Sequence, residues 1–406
     1  MRAATLMAVF LVLARSAAAA DVAESAPGTS YFQKDGATAA IHDADLLDCR
    51  ALAGRMHQPS PPVPSTAGGG GGMAGAIGAA IAVAIIVAAE QAAADRKARP
   101  VNVENCMVVK GWRVVSLTPD DATAFAALDK GSKSARVGEW VGATQLHGAV
   151  ARRFDNDVAN SDSAQTFVVA RRRGVSISDD VVAQGPTGPA EKHPVATIDP
   201  AVAQGRPRGA APLQPLKDEQ LGGVPAGTGM IIVNVRGDAS AGLLFERLGP
   251  DPMTDAWVDG RPSQIFVNPP VKALAKAGAR LGVTQVFSVP PGRWRLAAMS
   301  VGDISVNYCL GSPVFEVAAG EAVYAGSFSA DHALPVMDLD LAKSAFPELS
   351  TVPDKIRPAV WTNGARGKCV GTYVYALEVP GQPFLDGYAW GSRAWPADPA
   401  PGAVAR

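Results

Sequence analysis

The sequence has few charged and few aromatic residues for its length. Of its 406 residues, 18% are Asp, Glu, Lys or Arg and 6% are aromatic, and the formal net charge is -1. No sustained run of basic residues is present, so the sequence does not favour a protein that neutralises nucleic-acid phosphates. We therefore expect no nucleic-acid partner.

Signatures of enzyme chemistry are also missing. The stretch "GGVPAGTGM" lacks the lysine that a phosphate-binding loop needs, and no Gly-x-Ser-x-Gly elbow is present. The histidines do not have metal-ligand spacing. The sequence therefore predicts no enzyme, no cofactor and no metal. A hydrolase is the third of our hypotheses, and it would use the cluster of Asp331 and His332 with Asp338 and Asp340.

The first residues have the pattern of a secretory signal. Arg2 precedes an apolar run, and small residues with Ala-x-Ala spacing lead up to Asp21, which predicts a signal peptide at 1–20. No cysteine lies near the cleavage position, so we do not expect a lipid-modified amino terminus. The signal predicts an exported protein of the periplasm or cell envelope.

The sequence has few cysteines, and their number is even. The four cysteines are Cys49, Cys106, Cys309 and Cys369. In an exported protein an even number indicates disulfides, and four cysteines allow three pairings. Their clustering favours Cys49 with Cys106 and Cys309 with Cys369, which gives one bridge to each domain.

A long stretch without charge lies between the first two cysteines. Residues 68–89 contain no charged side chain, and as a helix the part from 73 to 89 would be about 25 Å long, against about 30 Å for a bilayer core. A helix is expected at about 73–95, because a run of glycines is a poor helix former. Small residues at regular spacing let two helices approach closely. The expected helix-packing residues are Gly71, Gly75, Gly78, Ala79 and Ala82.

The stretch therefore predicts membrane contact and self-association. The alternative is a soluble Ala-rich helix or a flexible glycine spacer. Arg96, Lys97 and Arg99 follow the stretch and favour a single span, but a bond between Cys49 and Cys106 would need both cysteines in one compartment. We therefore favour a segment that lies on a membrane, enters it or packs with copies of itself over a simple span.

Three features in this order resemble the glycine-zipper proteins of the bacterial cell envelope. They are "DADLLDCRALAG", the glycine-rich helix and "NCMVVKGW", which together cover residues 40–115. The resemblance implies a membrane-associated, self-associating element that is often a helical hairpin. The present sequence departs from that pattern because it has only one obvious apolar helix.

The rest of the N-terminal region, residues 21–175, predicts further helix and strand. The alternation in "CMVVKGWRVV" favours a strand. A helix is expected to begin at Thr118-Pro-Asp-Asp and to continue through "ATAFAALDKG". Residues 176–228 have a proline every few positions and few aromatics, which indicates a linker.

The C-terminal region, residues 229–380, is rich in short runs of Val, Ile, Phe and Tyr separated by Gly, Pro, Asn and Asp. Runs such as "GMIIVNV", "VTQVFSV" and "AVYAGSFS" predict an antiparallel β-sandwich, and residues 381–406 are expected to be a flexible tail. "PPGRWRL" and "AAGEAVYAGSF" resemble strand openings of small envelope β-sandwich domains. The predicted fold class is therefore an α+β chain of several parts.

These observations lead to two non-enzymatic hypotheses. The first is an exported, membrane-associated envelope protein with a structural or interaction role, which self-associates through the zipper helix and presents the β-sandwich on a long linker. The alternative is a binding module for an envelope glycan or protein. Its expected contacts are Trp361, Tyr373 and Tyr375, whose flat rings can stack on apolar faces.

Overall fold

The protein is an α+β chain with its helices in the N-terminal half and its larger sheets in the C-terminal half, which confirms that part of the prediction. The computed structural model describes residues 30–56, 98–154, 156, 212–217, 223–236, 241–249, 263–268, 282–301, 304–329, 332–337, 356–369 and 371–388. The predicted signal peptide and zipper helix lie outside these ranges. We call the described residues from 30 to 156 the N-terminal unit and those from 212 to 388 the sheet unit.

The N-terminal unit combines helices with a three-stranded antiparallel sheet of order β1-β2-β3. Its elements are β1 (Ser30–Gln33), α1 (Ala39–Arg55), α2 (residues 98–109), β2 (Arg113–Leu117), α3 (Pro119–Ala126), α4 (Lys130–Trp140) and β3 (Gly148–Arg152). The strand predicted in "CMVVKGWRVV" is only partly correct, because residues 106–109 complete α2. Gly111, with a φ of 89°, then allows the turn into β2.

The helix predicted from Thr118 begins where expected but is shorter. Thr118 is its N-cap and accepts a hydrogen bond from the Asp121 backbone N–H, and Pro119 occupies the first turn. The prediction was wrong about its end, because Asp129 caps a new helix by accepting from the Ser132 N–H. A second capping residue inside a continuous helical pattern therefore divides it into α3 and α4.

The sheet unit consists of eleven described strands in two sheets. The strands are β4 (Gly229–Arg236), β5 (Ala241–Arg247), β6 (Gln264–Val267), β7 (Val283–Val289), β8 (Gly292–Val301), β9 (Ile304–Val317), β10 (Ala322–Ser329), β11 (His332–Val336), β12 (Ile356–Pro358), β13 (Thr362–Ala365) and β14 (Tyr373–Ala376). One sheet has the order β11-β10-β4-β7, with β12 also on β10. The other has the order β13-β9-β8-β5-β6, with β14 also on β9.

Both sheets are mixed, so the purely antiparallel pairing predicted from the sequence was wrong. β4 and β12 pair with β10 in parallel, and β14 pairs with β9 in parallel. Antiparallel neighbours arise from short hairpins, whereas these parallel pairs join strands that are distant along the chain. The local strand pattern does not contain that information.

The two sheets contribute to one hydrophobic core. Alternate residues of β4 point into it, and the ring of Phe245 on β5 contacts the ring of Phe328 on β10 edge-on, with centroids 5.9 Å apart. Residues 212–217, which fall within the predicted linker, connect two sheet edges. The Leu213 N–H donates to Gln264 on β6, and the Leu216 N–H donates to Val286 on β7.

Candidate functional site

Both predicted disulfides are present, with the pairing that the clustering of cysteines favoured. Cys49 on α1 is bonded to Cys106 on α2, and Cys309 on β9 is bonded to Cys369. Each bond lies within one unit, so no disulfide joins the N-terminal unit to the sheet unit. Two disulfides are typical of a protein in an oxidising compartment.

The first disulfide belongs to an antiparallel helix pair. Lys110 Nζ, just after α2, donates to Asp45 at 2.9 Å and to Asp48 at 2.6 Å, both on α1. Lys110 follows Cys106 in the chain whereas Asp45 precedes Cys49, so the two helices run in opposite directions. The end of α1 and the start of α2 therefore lie at the same end of the pair, and the chain between residues 56 and 98 leaves and returns there.

The most elaborate polar site in the described structure is the contact between α2 and β14. Asn102 pairs with the strand backbone as another strand would: its Nδ2 donates to the Thr372 carbonyl at 3.2 Å, and its Oδ1 accepts from the Val374 N–H at 2.9 Å. Asn105, one helical turn later, donates from Nδ2 to the Val374 carbonyl at 2.8 Å. The edge of β14 that does not face β9 is thus completed by side chains.

The same kind of pairing continues past the end of β14. Asn156 donates to the Glu378 carbonyl at 2.6 Å and accepts from the Glu378 N–H at 3.0 Å. Asn363 accepts from the Val379 N–H at 2.8 Å and donates to the Val379 carbonyl at 2.9 Å. Buried backbone groups need such partners, so these asparagines supply hydrogen bonds that a neighbouring strand would otherwise give.

A buried charge cluster lies beside these amides. Arg152 on β3 donates to the Glu104 carboxylate on α2, donates to Asn105 Oδ1 at 2.5 Å, and lies 5.7 Å from the centre of the Tyr375 ring. Phe154 stacks on the same ring, with centroids 5.9 Å apart and an interplanar angle of 19°. The cluster therefore joins α2, β3 and the residue Phe154 just after β3 to one strand of the sheet unit.

Burial shifts the pKa values of this cluster. It raises the pKa of the Glu104 carboxyl, and the Arg152 guanidinium opposes that rise. Burial alone would lower the pKa of Arg152, but the charges of Glu104 and Tyr375 more than offset it, so the Arg152 pKa is raised. Burial also raises the pKa of the Tyr375 hydroxyl, again against Arg152. These groups are held by internal partners, which suits a structural contact rather than proton transfer to a ligand.

The three aromatic residues proposed as ligand contacts are in the interior. Trp361 and Tyr373 are each 2% exposed and Tyr375 is fully buried. Trp361 packs edge-on against Phe315 with centroids 4.8 Å apart. None of the three side chains is therefore exposed for contact with a glycan or protein in this structure, and Asn102 and Asn105 of the N-terminal unit bond to the strand that carries both tyrosines.

A second buried ion pair lies within the sheet unit. Arg295 on β8 donates from Nη2 to Glu246 on the neighbouring strand β5 at 2.6 Å, and Gln264 on β6 donates to the other oxygen of that carboxylate at 2.7 Å. Gly367 lies against the guanidinium so closely that a Cβ there would be 2.1 Å from Arg295 Cζ. The backbone at Gly367 therefore covers the Arg295 side of this ion pair.

The remaining predicted site residues lie outside the described structure in whole or in part. The helix-packing residues Gly71, Gly75, Gly78, Ala79 and Ala82 lie outside the described residues, and so do Asp331, Asp338 and Asp340. His332 begins β11, but its side chain is not among those described. Among the side chains that are described, no group of three or more His, Cys, Asp or Glu is arranged to hold a metal ion. None of the helices in the described ranges has the length and apolar character needed to cross a membrane.

Comparison of the chain with protein-family models, with curated proteins and with solved structures gives no match. The fold and the site themselves define the class: an α+β protein with one disulfide in each unit and a polar interface between the units.

Sequence reasoning missed the residues of this interface. The contacts are made by side chains that belong to no known motif, namely Asn102, Asn105, Arg152 and Asn156. One signal was present: "VNVENCMVV" is an apolar helix interrupted by two asparagines three residues apart. Buried amides require hydrogen-bond partners, so that spacing indicates a polar partner on one helix face.

Proposed function

We propose that the protein is an exported, membrane-associated component of the cell envelope with a structural or interaction role, and that it self-associates through its glycine-rich segment. In this proposal the helices and a β-sandwich form one body beside the membrane in the periplasm. The glycine-rich segment attaches that body to the membrane and to other copies.

The observation that carries the proposal is the disulfide between Cys49 and Cys106, whose Cα atoms are 5.5 Å apart. The bonded helices precede and follow the glycine-rich segment and are antiparallel. A segment that leaves and returns at the same end of a helix pair can lie on a bilayer or enter and return, but it cannot place its two ends on opposite sides. Uncharged, small-residue sequence is what such a segment needs for lipid contact and close helix packing.

The contact between the units refines this proposal. The glycine-rich segment precedes α2 in the chain, and α2 is hydrogen-bonded to β14. In the first hypothesis the β-sandwich was presented at the end of a long linker. A body that includes both units instead holds the sheets close to the point of membrane attachment.

The proposal is tested by flotation of the purified full chain with vesicles of phosphatidylethanolamine and phosphatidylglycerol, followed by chemical cross-linking. We expect the chain to float with the vesicles and to give cross-linked oligomers. The variant Gly75→Leu/Ala79→Leu is expected to lose the oligomers, because leucine keeps the helices apart. The matched control is Gly223→Leu, since a Cβ at Gly223 meets nothing within 4 Å.

Two results would overturn the proposal. One is a wild-type chain that stays with the unbound fraction and gives no cross-linked oligomer. The other is peptide mass spectrometry under non-reducing conditions that finds Cys49 and Cys106 unlinked in the vesicle-bound protein, because the segment would then be free to span.

A further inference from the structure

We propose that the edge of β14 and the backbone that follows it form a docking surface for the N-terminal unit, strong enough to hold the two units together without any covalent connection. The surface is the backbone edge of residues 372–379 with the ring of Tyr375. Its partner is a helix that presents two side-chain amides one turn apart, next to an arginine and a further asparagine.

The first argument is the completeness of the hydrogen bonding. Both backbone groups of Val374 and both of Glu378 are bonded to asparagine side chains of the N-terminal unit. Removing that unit would leave an edge with unpaired donors and acceptors, which is the feature by which sheet edges bind other segments. The N-terminal unit therefore occupies the edge as an added strand would.

The second argument is burial. Asn102, Asn105 and Arg152 are 1%, 0% and 7% exposed, and Tyr375 is fully buried. Hydrogen bonds and ion pairs in such an environment are costly to break, because each partner would be left unpaired before water reaches it. Fully desolvated aromatic and arginine side chains are also those that dominate affinity in protein interfaces.

The third argument is that the interface is non-covalent. Each disulfide lies within one unit, and all four cysteines are used. The two units are connected covalently only through the chain between residues 156 and 212. Cutting that chain therefore removes the covalent connection and leaves the contacts of the described interface to hold the two units together.

The test uses the full chain with a recognition sequence for a site-specific protease inserted after Gly188. The purified protein is cleaved under native conditions and examined by size-exclusion chromatography at micromolar concentration. We expect the two pieces to elute together and to separate only in denaturant. Pieces that separate while each keeps its disulfide and its circular dichroism would overturn the proposal.

Variants of the cleavable chain test which contacts hold the pieces. Asn102→Ala/Asn105→Ala is expected to weaken their association at least about tenfold, since each lost hydrogen bond leaves a buried backbone group unpaired. Asn102→Ala alone, which leaves the bond from Asn105 to the Val374 carbonyl in place, is expected to have a smaller effect, so the test does not depend on the double variant folding. The control is Glu139→Ala, an exposed residue of the same unit. Association as tight in the double variant as in the control would show that the amides do not form the docking surface.

Discussion

Arg152 is a buried charge at the interface between the two units. It is 7% exposed and contacts Glu104, Asn105 and the Tyr375 ring. Replacing one member of a buried ion pair leaves the other charge without compensation, which is far more damaging than replacing both. The energetic role of the cluster is therefore visible only when single and double variants are compared.

We predict that Arg152→Met lowers the free energy of unfolding by about 3–5 kcal/mol. The double variant Glu104→Gln/Arg152→Met should recover a large part of that loss, because no buried charge remains. Urea denaturation followed by circular dichroism measures both values. A single variant as stable as the wild type would mean that Glu104 reaches solvent and does not need Arg152.

His42 provides a second test at the residue scale. Its ring is buried against Phe32 and Trp112, its Nδ1 lies 3.0 Å from Asp43, and burial lowers its pKa. Asp43 and Asp45 oppose that shift, and Arg50 adds to it. A base with a lowered pKa in the folded state binds protons more readily when unfolded, so its stabilising contribution is complete above its ordinary pKa of about 6.5 and is lost as the pH falls.

We therefore expect the wild-type protein to lose stability between about pH 7.5 and pH 5 by up to about 1.4 kcal/mol for each pH unit below that ordinary pKa. The variant His42→Phe, which keeps an aromatic ring and does not titrate, should show a smaller change over the same range. Urea midpoints at several pH values make the comparison. Parallel curves for the two proteins would exclude His42 as the source.

At the scale of elements, close backbone contacts decide where the N-terminal elements meet. Gly142 follows α4, and two carbonyls there accept hydrogen bonds from the segment after β1: the Lys34 N–H donates to the Val141 carbonyl, and the Gly36 N–H donates to the carbonyl of Gly142 itself. A Cβ at Gly142 would lie 1.9 Å from the Ala37 carbonyl oxygen. Only glycine allows the two segments to approach so closely.

We predict that Gly142→Ala destabilises the protein by about 1–3 kcal/mol or more, because a backbone segment must move to make room. The matched control is Gly54→Ala in α1, where a Cβ meets nothing within 4 Å. That change should be neutral or stabilising by up to about 1 kcal/mol, since alanine is the better helix former. Thermal denaturation of both variants distinguishes the two effects, and equal losses would contradict the steric explanation.

Prediction from sequence was most successful for single elements. The run "VTQVFSV" forms the predicted strand, β7, and Thr118 is the N-cap of the helix predicted to begin there. Both features depend on neighbouring residues alone. Element type was harder to predict where the pattern was short and apolar. Residues 106–109 alternate like a strand but end a buried helix, and a short apolar run does not distinguish the two.

At the scale of the whole molecule, the two units behave as one folded body. Buried side chains from both units belong to one hydrophobic core, which includes Trp112 and Phe154 as well as Val306 and Tyr375. Units that share a core and a network of buried hydrogen bonds lose stability together.

We predict that native-state hydrogen exchange gives β2 and β9 the same highest free energy of opening. In the variant Asn102→Ala/Asn105→Ala the two strands should instead open with different free energies, because the interface no longer couples them. Exchange measured by mass spectrometry on peptides from each strand reports this difference. Different opening energies in the wild type would show that the units unfold independently.

The features that the sequence alone determined are local or compositional. The pairing of Cys49 with Cys106 and of Cys309 with Cys369 followed from clustering, and the division into a helical half and a sheet half followed from residue patterns. The tertiary structure alone decided the parallel strand pairs, the burial of Tyr373 and Tyr375, and the contact between the units. Asn102 and Val374 are 272 residues apart, and no pattern around either one encodes the other. A hydrogen bond at that separation exists because folding places a helix face against a strand edge whose buried backbone groups need partners.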